Sequence, residues 1–314
     1  MLRLVVARVF TAALTLLLVS VVIFAMIEVL PGDVASRILG RDATQESLAQ
    51  VRAQLHLNDP AIERYLGWLA GVVQGDFGLA LTSKRPIVDI LAPRIVNTLI
   101  LSGIAFLLYL PLALVPALLQ AVNRDRPIDH GFSTVTLVLL STPDFLLSTL
   151  LLIAFVVLIP VLPATSLVEP TTSFVGWVRA LILPSVTLAI VMAVYAVRML
   201  RDNLIEVLEA EYIRTAELKG LSKRAVLLRH ALPNALVPTL NVTALNLGYL
   251  IGGVVIVEKV FSYPGFGGLL VDSLQLRDIP LIEATVLIAA AVYVGANLLA
   301  DVGAILLNPR LRKS

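Results

Sequence analysis

Residues 204–238 read LIEVLEAEYIRTAELKGLSKRAVLLRHALPNALVP, a polar and charged stretch set between two long apolar runs. Around it the chain is mostly oil. Of 314 residues, 58% are hydrophobic and only 15% are charged, and the mean hydropathy is +0.93. A soluble domain carries about 25% charged and about 45–50% apolar residues. The balance therefore implies an integral membrane protein. A charged surface in such a protein implies something outside the bilayer for it to touch.

The net charge of +2 is too small to argue for nucleic acid, and the basic residues cluster in short loops. The chain has no cysteine, which excludes disulfides, thiolate metal sites and thiol catalysis.

A hydrocarbon core of about 30 Å takes roughly 20 apolar residues as a helix. The first candidate, Val9–Ile27, is free of charge and follows Arg3 and Arg8. It is longer than a signal-peptide core and lacks a small-x-small cleavage site, so it is expected to remain as the first helix, within residues 1–30. Residues 31–94 are polar, with seven Lys/Arg against seven Asp/Glu. A Thr44-capped helix is expected over Thr44–Leu57, and Tyr65, Trp68, Leu69 and Phe77 offer apolar surface for a small folded extramembrane element. Five further spans are expected in residues 95–308: Ile95–Asn123, Phe132–Ile159, Ala180–Val197, Ala235–Val257 and Pro280–Leu307. The expected fold is an all-α polytopic membrane protein with six transmembrane helices.

Lys and Arg in short loops set the orientation. They gather at Arg3 and Arg8, at Arg124 and Arg126, in the tail 309–314, and densely between Arg198 and Arg229. Loops 160–179 and 258–279 hold only Arg179, Lys259 and Arg277. Both termini and the loop 201–234 are therefore expected in the cytoplasm.

That loop has a readable shape. Leu204–Leu218 has helix-forming composition, Gly220 interrupts it, and Ser222 is a fitting N-cap for a second short helix over Lys223–Leu232. Pro233 and Pro238 are expected to stop that helix. Two short helices broken by a glycine form an elbow able to lie in a partner's groove and pass on a rigid-body push. A generic membrane protein would more often carry an ordinary solvated loop here.

The segment Arg214-Thr-Ala-Glu-Leu-Lys-Gly220, followed after nine residues by His230-Ala-Leu-Pro233, resembles the EAA loop of ABC-importer permeases. Its wording is similar to the dipeptide/oligopeptide/nickel permease family, in which Arg-Thr replaces Glu-Ala at the start of the motif. Leu30-Pro-Gly-Asp33, Gln74-Gly-Asp-Phe-Gly78, Arg85-Pro86 and Asn97-Thr98 resemble that family's amino-terminal half. Glu258-Lys-Val-Phe-Ser-Tyr-Pro-Gly-Phe-Gly267, Arg277-Asp278 and Asn308-Pro-Arg310 resemble its carboxyl-terminal half. The resemblance covers nearly the whole chain and fits the permease type with a long loop after the first span.

The resemblance implies a type-1 ABC importer permease fold in the bacterial inner (plasma) membrane. It implies a second homologous permease, two ATP-binding subunits (or one fused pair) and an extracytoplasmic substrate-binding protein. ATP and Mg would be held by the partner ATPases, and this chain would bind no cofactor and catalyse nothing. The elbow would be the coupling helix, with Thr215, Ala216, Gly220, Leu221 and Ser222 at the centre of the contact. Arg214, Glu217, Lys219 and Lys223 would be its polar support. Peptides are the expected cargo; nickel complexes, glutathione or another small solute are the alternatives.

The remaining candidates are weaker. No Gly-x-x-x-x-Gly-Lys-Ser/Thr occurs, and Gly265-Phe-Gly-Gly268 reads as a tight turn. His56, His130 and His230 fall outside the spans without ligand spacing, so no metal site is expected. Asp144, after Pro143, lines a translocation path or sits at a helix terminus. Asn241 and Asn246 are hydrogen-bonding groups between helices or line the path. Glu258 and Asp301 are expected in solvent-accessible pairing at span ends, and Gly248–Gly252 in close helix packing. An ion-coupled secondary transporter would need more ionisable groups within the membrane than Asp144. An intramembrane hydrolase would need a serine–histidine or paired-aspartate site that the spans lack.

Overall fold

A computed structural model describes residues 2–29, 44–54, 59–167 and 172–307. Among them the chain is helical, with an isolated β-bridge between Leu79 and Pro86. In order the helices are α1 (Leu2–Val29), α2 (Gln45–Gln54), α3 (Ala61–Val73), α4 (Ile87–Val122), α5 (Pro127–Ser141) and α6 (Asp144–Leu152). They continue with α7 (Phe174–Leu208), α8 (Glu211–Leu218), α9 (Lys223–Ala225), α10 (Leu232–Val260), α11 (Phe266–Leu276) and α12 (Ile279–Leu307). Wider π turns follow α6 at Ile153–Leu158 and α9 at Val226–Ala231. The chain divides into two compact units, Met1–Val96 with Gly265–Ser314, and Asn97–Pro264.

In the first unit α1 packs along α12, and α3 lies on α1. Phe24 meets Tyr65 edge-on at 5.4 Å between ring centroids, and Ser20 shares a 2.9 Å hydrogen bond with the Tyr65 hydroxyl. Helix α3 ends because Gly75 turns to φ +81°, letting the Asp76 N–H reach the Gly71 carbonyl at 2.9 Å. A Cβ on Gly71 would lie 2.9 Å from the Asp76 carbonyl oxygen, so this closure needs glycine there too. The fully buried Asp278 begins α12, accepting the Leu81 and Thr82 N–H groups at 3.0 and 2.9 Å and the Thr82 hydroxyl at 2.8 Å. Ala80, Ile87, Leu91, Leu269, Leu281 and Ala284 form the buried core beside it.

In the second unit α7 is the central rod. Of its most apolar window 72% is buried, against 11% for the corresponding window of α1. Alanines 189, 193 and 196 are buried on it, small enough to let neighbouring helices come close. Leu101, Tyr109, Leu188, Met192, Val254 and Phe261 complete this core. Beyond α10 the chain is tied down at Asn97, whose side chain donates to the Pro264 carbonyl and whose own carbonyl accepts from the Tyr263 hydroxyl, both at 2.8 Å. Burial, then the nearby Glu258 carboxylate, pushes the Tyr263 phenol above its ordinary pKa. Glu258 itself is fully buried and accepts from Thr98, which corrects its expected solvent-accessible place.

Two expected spans change shape. The second starts at Ile87 instead of Ile95, and its 36 residues make a helix about 54 Å long, well beyond a hydrocarbon core. The third is broken: α5 and α6 meet at 110°. Pro143 disfavours helical geometry in Thr142, and the two residues lie extended at ψ 121° and 146°. Ser141 and Thr142 fold their hydroxyls back onto the Leu137 and Val138 carbonyls, at 2.9 and 2.7 Å, and so satisfy groups the break exposes.

By length and composition, four described helices are able to cross a membrane: α1, α4, α7 and α12; the bent α5–α6 pair makes up to five. The span expected over 235–257 falls within α10, where the side chains of 240–242 and 244–253 lie outside the described residues. Residues 31–43, His56, Leu57, the Asp301 side chain and Asn308–Arg310 lie outside them as well. Thr44 caps α2 as expected, its hydroxyl accepting the Ser47 N–H at 3.2 Å.

Candidate functional site: the elbow at residues 201–234

The elbow opens on the last turns of α7. A single helix over 204–218 was the expectation, yet α7 stops at Leu208 and α8 starts at Glu211. The cause is phase. Nine residues at about 100° each would put Leu204 and Ile213 on opposite faces of one helix. Both are buried, at 0% and 2% exposure, and the extended Ala210 (ψ 144°) re-phases the chain so that both face one core. Leu200, Leu204, Ile213, Ala216, Val226, Ala231 and Ala235 share that core.

Helix α8 is closed by a glycine turn. Gly220, at φ +85°, donates to the Glu217 carbonyl at 2.9 Å, and Leu221 reaches back to the Ala216 carbonyl at 3.3 Å. No atom lies within 4 Å of where a Gly220 Cβ would be, so the demand for glycine is conformational and not a matter of room. Ser222 then caps the next helix, accepting the Ala225 N–H at 3.3 Å.

That helix does not stop at the prolines. It widens into the π turn and passes straight into α10. Pro233 comes just after the π turn and Pro238 lies inside α10.

The expected site residues divide by face. Arg214, Thr215, Glu217, Lys219, Gly220, Leu221, Ser222 and Lys223 are exposed along one continuous ridge. Ala216 turns inward with Ile213, three residues earlier. Tyr212 and Leu218, 47% and 82% exposed, join the ridge instead. The i, i+3 spacing of Ile213 and Ala216 was the signal that leaves Leu218 facing out.

Two ion pairs brace the elbow. Arg124 pairs with Glu209 at the break. Deeper in, Arg201 grips Asp129 through Nε at 2.7 Å and Nη2 at 2.6 Å. Asp129 is 1% exposed and also accepts the Asp125 N–H at 3.1 Å, so α7 is fastened to the start of α5.

Asp144 stands half-buried in the first turn of α6, at the 110° break, where a carboxylate suits the helix N-terminus. The side chains of Asn241 and Asn246 lie outside the described residues. Among the described residues no three His, Cys, Asp or Glu side chains gather as a metal site would need.

Apolar helices of spanning length around a braced, charged elbow define a class, the polytopic helical membrane proteins. Comparison with known proteins makes the class specific. Residues 109–313 match the family of binding-protein-dependent transport system inner membrane components. Residues 1–88 match the amino-terminal region of binding-protein-dependent transport system membrane components. Over 312 residues, 99% of both chains, the protein is 36% identical to the glutathione transport system permease protein GsiC of Escherichia coli (strain K12). Over the same length and share it is 35% identical to a putative peptide transport system permease protein of Brucella abortus (strain 2308). The chain belongs to the family of inner membrane permease components of binding-protein-dependent ABC importers, whose fold is the type-1 importer permease fold.

Proposed function

We propose that this chain is the permease subunit through which an ATP-driven importer moves peptides across the cytoplasmic membrane. In this reading it pairs with a second homologous permease and receives cargo from an extracytoplasmic binding protein. Two ATP-binding subunits (or one fused pair) dock at the elbow 201–234 and hold the ATP and Mg. With six crossings and both termini in the cytoplasm, the elbow would face the ATPases. Asp144, Asn241 and Asn246 are the proposed contributors to the path.

The observation that carries the docking reading is the ridge from Tyr212 to Lys223. It presents Leu218 and Leu221 between Arg214, Glu217, Lys219 and Lys223, an apolar centre with a charged rim. ATP-driven closure of a bound ATPase pair would move it as one body, because its inner face is fixed to α7 by Ile213 and Ala216. Co-purification tests this. Gly220→Trp and Leu218→Glu are expected to lose the ATPase subunits and abolish ATP-driven uptake while the permease pair still assembles. Normal ATPase binding and full transport in both variants would overturn the docking reading.

Peptide cargo is supported by the Brucella relative's name, and glutathione, itself a peptide, by the Escherichia coli relative's. Uptake of labelled dipeptides and of glutathione by vesicles holding the whole transporter separates the two. A requirement for an ion gradient in place of ATP would replace the importer reading with secondary transport.

A further inference from the structure

The first unit holds a cavity of about 650 Å³ that the elbow does not account for. Its walls come from α1, α3, the turn at 76–84 and the start of α12. Phe24, Trp68 and Phe77 give it an apolar, aromatic lining. Its volume falls within the roughly 300–1,000 Å³ range of small-molecule sites.

The wall carries three carboxylates, Glu28, Asp76 and Glu283, against two cations, Arg64 and Lys84. Glu28 is answered by Arg64, whose Nη2 lies 2.6 Å from the carboxylate. The Arg64 guanidinium also stands 5.9 Å from the centre of the Phe24 ring, which fixes it on that wall. Asp76 spends one oxygen on the Gly78 N–H at 2.9 Å. Glu283 lines the same cavity at 7% exposure, and among the described residues it makes no hydrogen bond and no ion pair. It is held in place from behind, since Asp278 anchors the first turn of α12 and Leu281 and Ala284 are buried on either side. Arg64 acts on Glu283 only at a distance. A buried carboxylate without a hydrogen-bonded counter-ion is costly, and the cost falls when a cation arrives to pair with it.

We propose that this cavity binds a primary ammonium group carrying a small apolar body, with Glu283 as its counter-ion. A carboxylate without a hydrogen-bonded partner, among aromatic rings, suits an organic cation, since the rings add attraction to a positive charge. It does not suit a metal ion, which takes several oxygen ligands. The ammonium group could belong to a free amine, such as a peptide's amino end, or to an aminophospholipid headgroup; the chemistry at Glu283 is the same. The inference is independent of the cargo reading, because binding is measured without transport.

The test uses the assembled transporter in nanodiscs of phosphatidylcholine and phosphatidylglycerol, with radiolabelled 2-phenylethylamine as the probe. Saturable binding is expected, with no binding of the uncharged N-acetyl-2-phenylethylamine. Glu283→Gln is expected to weaken binding tenfold or more. Gly67→Leu tests the cavity without touching the charge: a Cβ at Gly67 meets no atom within 4 Å, so the side chain fills empty space and should exclude the amine. Adding phosphatidylethanolamine to the nanodiscs identifies the source. Undiminished binding assigns the site to soluble amines, and competition assigns it to the lipid headgroup. Equal binding of the acetylated probe, or wild-type affinity in both Glu283→Gln and Gly67→Leu, would overturn the proposal. So would the absence of saturable binding to the wild-type transporter.

Discussion

Gly220 and Asp129 impose opposite kinds of constraint on the elbow. Gly220 is exposed and touches little, yet its φ of +85° is a conformation that costs an L-residue roughly 1–2 kcal/mol. Gly220→Ala is therefore expected to lower stability by about 1 kcal/mol, seen as a lower midpoint of chemical unfolding in detergent. Asp129 is buried in a two-pronged grip from Arg201. Arg201→Met would leave that carboxylate buried and unpaired, at a cost of about 3–5 kcal/mol. The double variant Asp129→Leu with Arg201→Met is expected to recover most of the loss in the same unfolding measurement. A double variant no better than Arg201→Met alone would show that the pair is not the source.

The elements differ in how far they could be read from sequence. The glycine turn and the Ser222 cap were legible, because a positive φ and an N-cap are decided within four residues. The inward turn of Ala216 was legible only in part: its spacing from Ile213 marks a shared face, but which face is buried depends on the side of α8 where the core of Leu200 and Leu204 lies. Pro143 was visible as a break, but a proline does not state the angle, and 110° turns one expected span into two arms. The burial of Glu258 depends on Thr98, 160 residues away in sequence, and no local pattern carries that distance.

Asp278 is a similar case, since it ties the start of α12 to a turn almost 200 residues earlier. Asp278→Ala is expected to raise hydrogen exchange at the Leu81 and Thr82 amides by tenfold or more, with α7 unaffected. Unchanged exchange there would mean that the turn is held by its own backbone bonds.

On the scale of the whole molecule, the absence of cysteine turns a compositional fact into an experiment. Single cysteines can be placed in an otherwise native chain. Ser222→Cys is expected to react with a membrane-impermeant maleimide only in inside-out vesicles. Ser47→Cys, on α2, is expected to react only in right-side-out ones. Labelling of both from the same side would overturn the proposed orientation. The membrane class was legible at this scale from composition alone. The first unit, assembled from residues 1–96 and 265–314, was not, because hydropathy marks spans without saying which of them pack together.

The continuous length of α7, with Pro184 inside it as a point of reduced stiffness, has a mechanical consequence. Its 35 residues form a rod about 52 Å long, and its foot, Leu208, lies within the elbow. A tilt of about 5° about that foot would carry the far end through roughly 4–5 Å, close to the pitch of one helical turn. A small angular change at the elbow is thus geared up with distance along the rod. The size of the opening an importer of this build could make would depend on the stiffness of one helix more than on the reach of its partners.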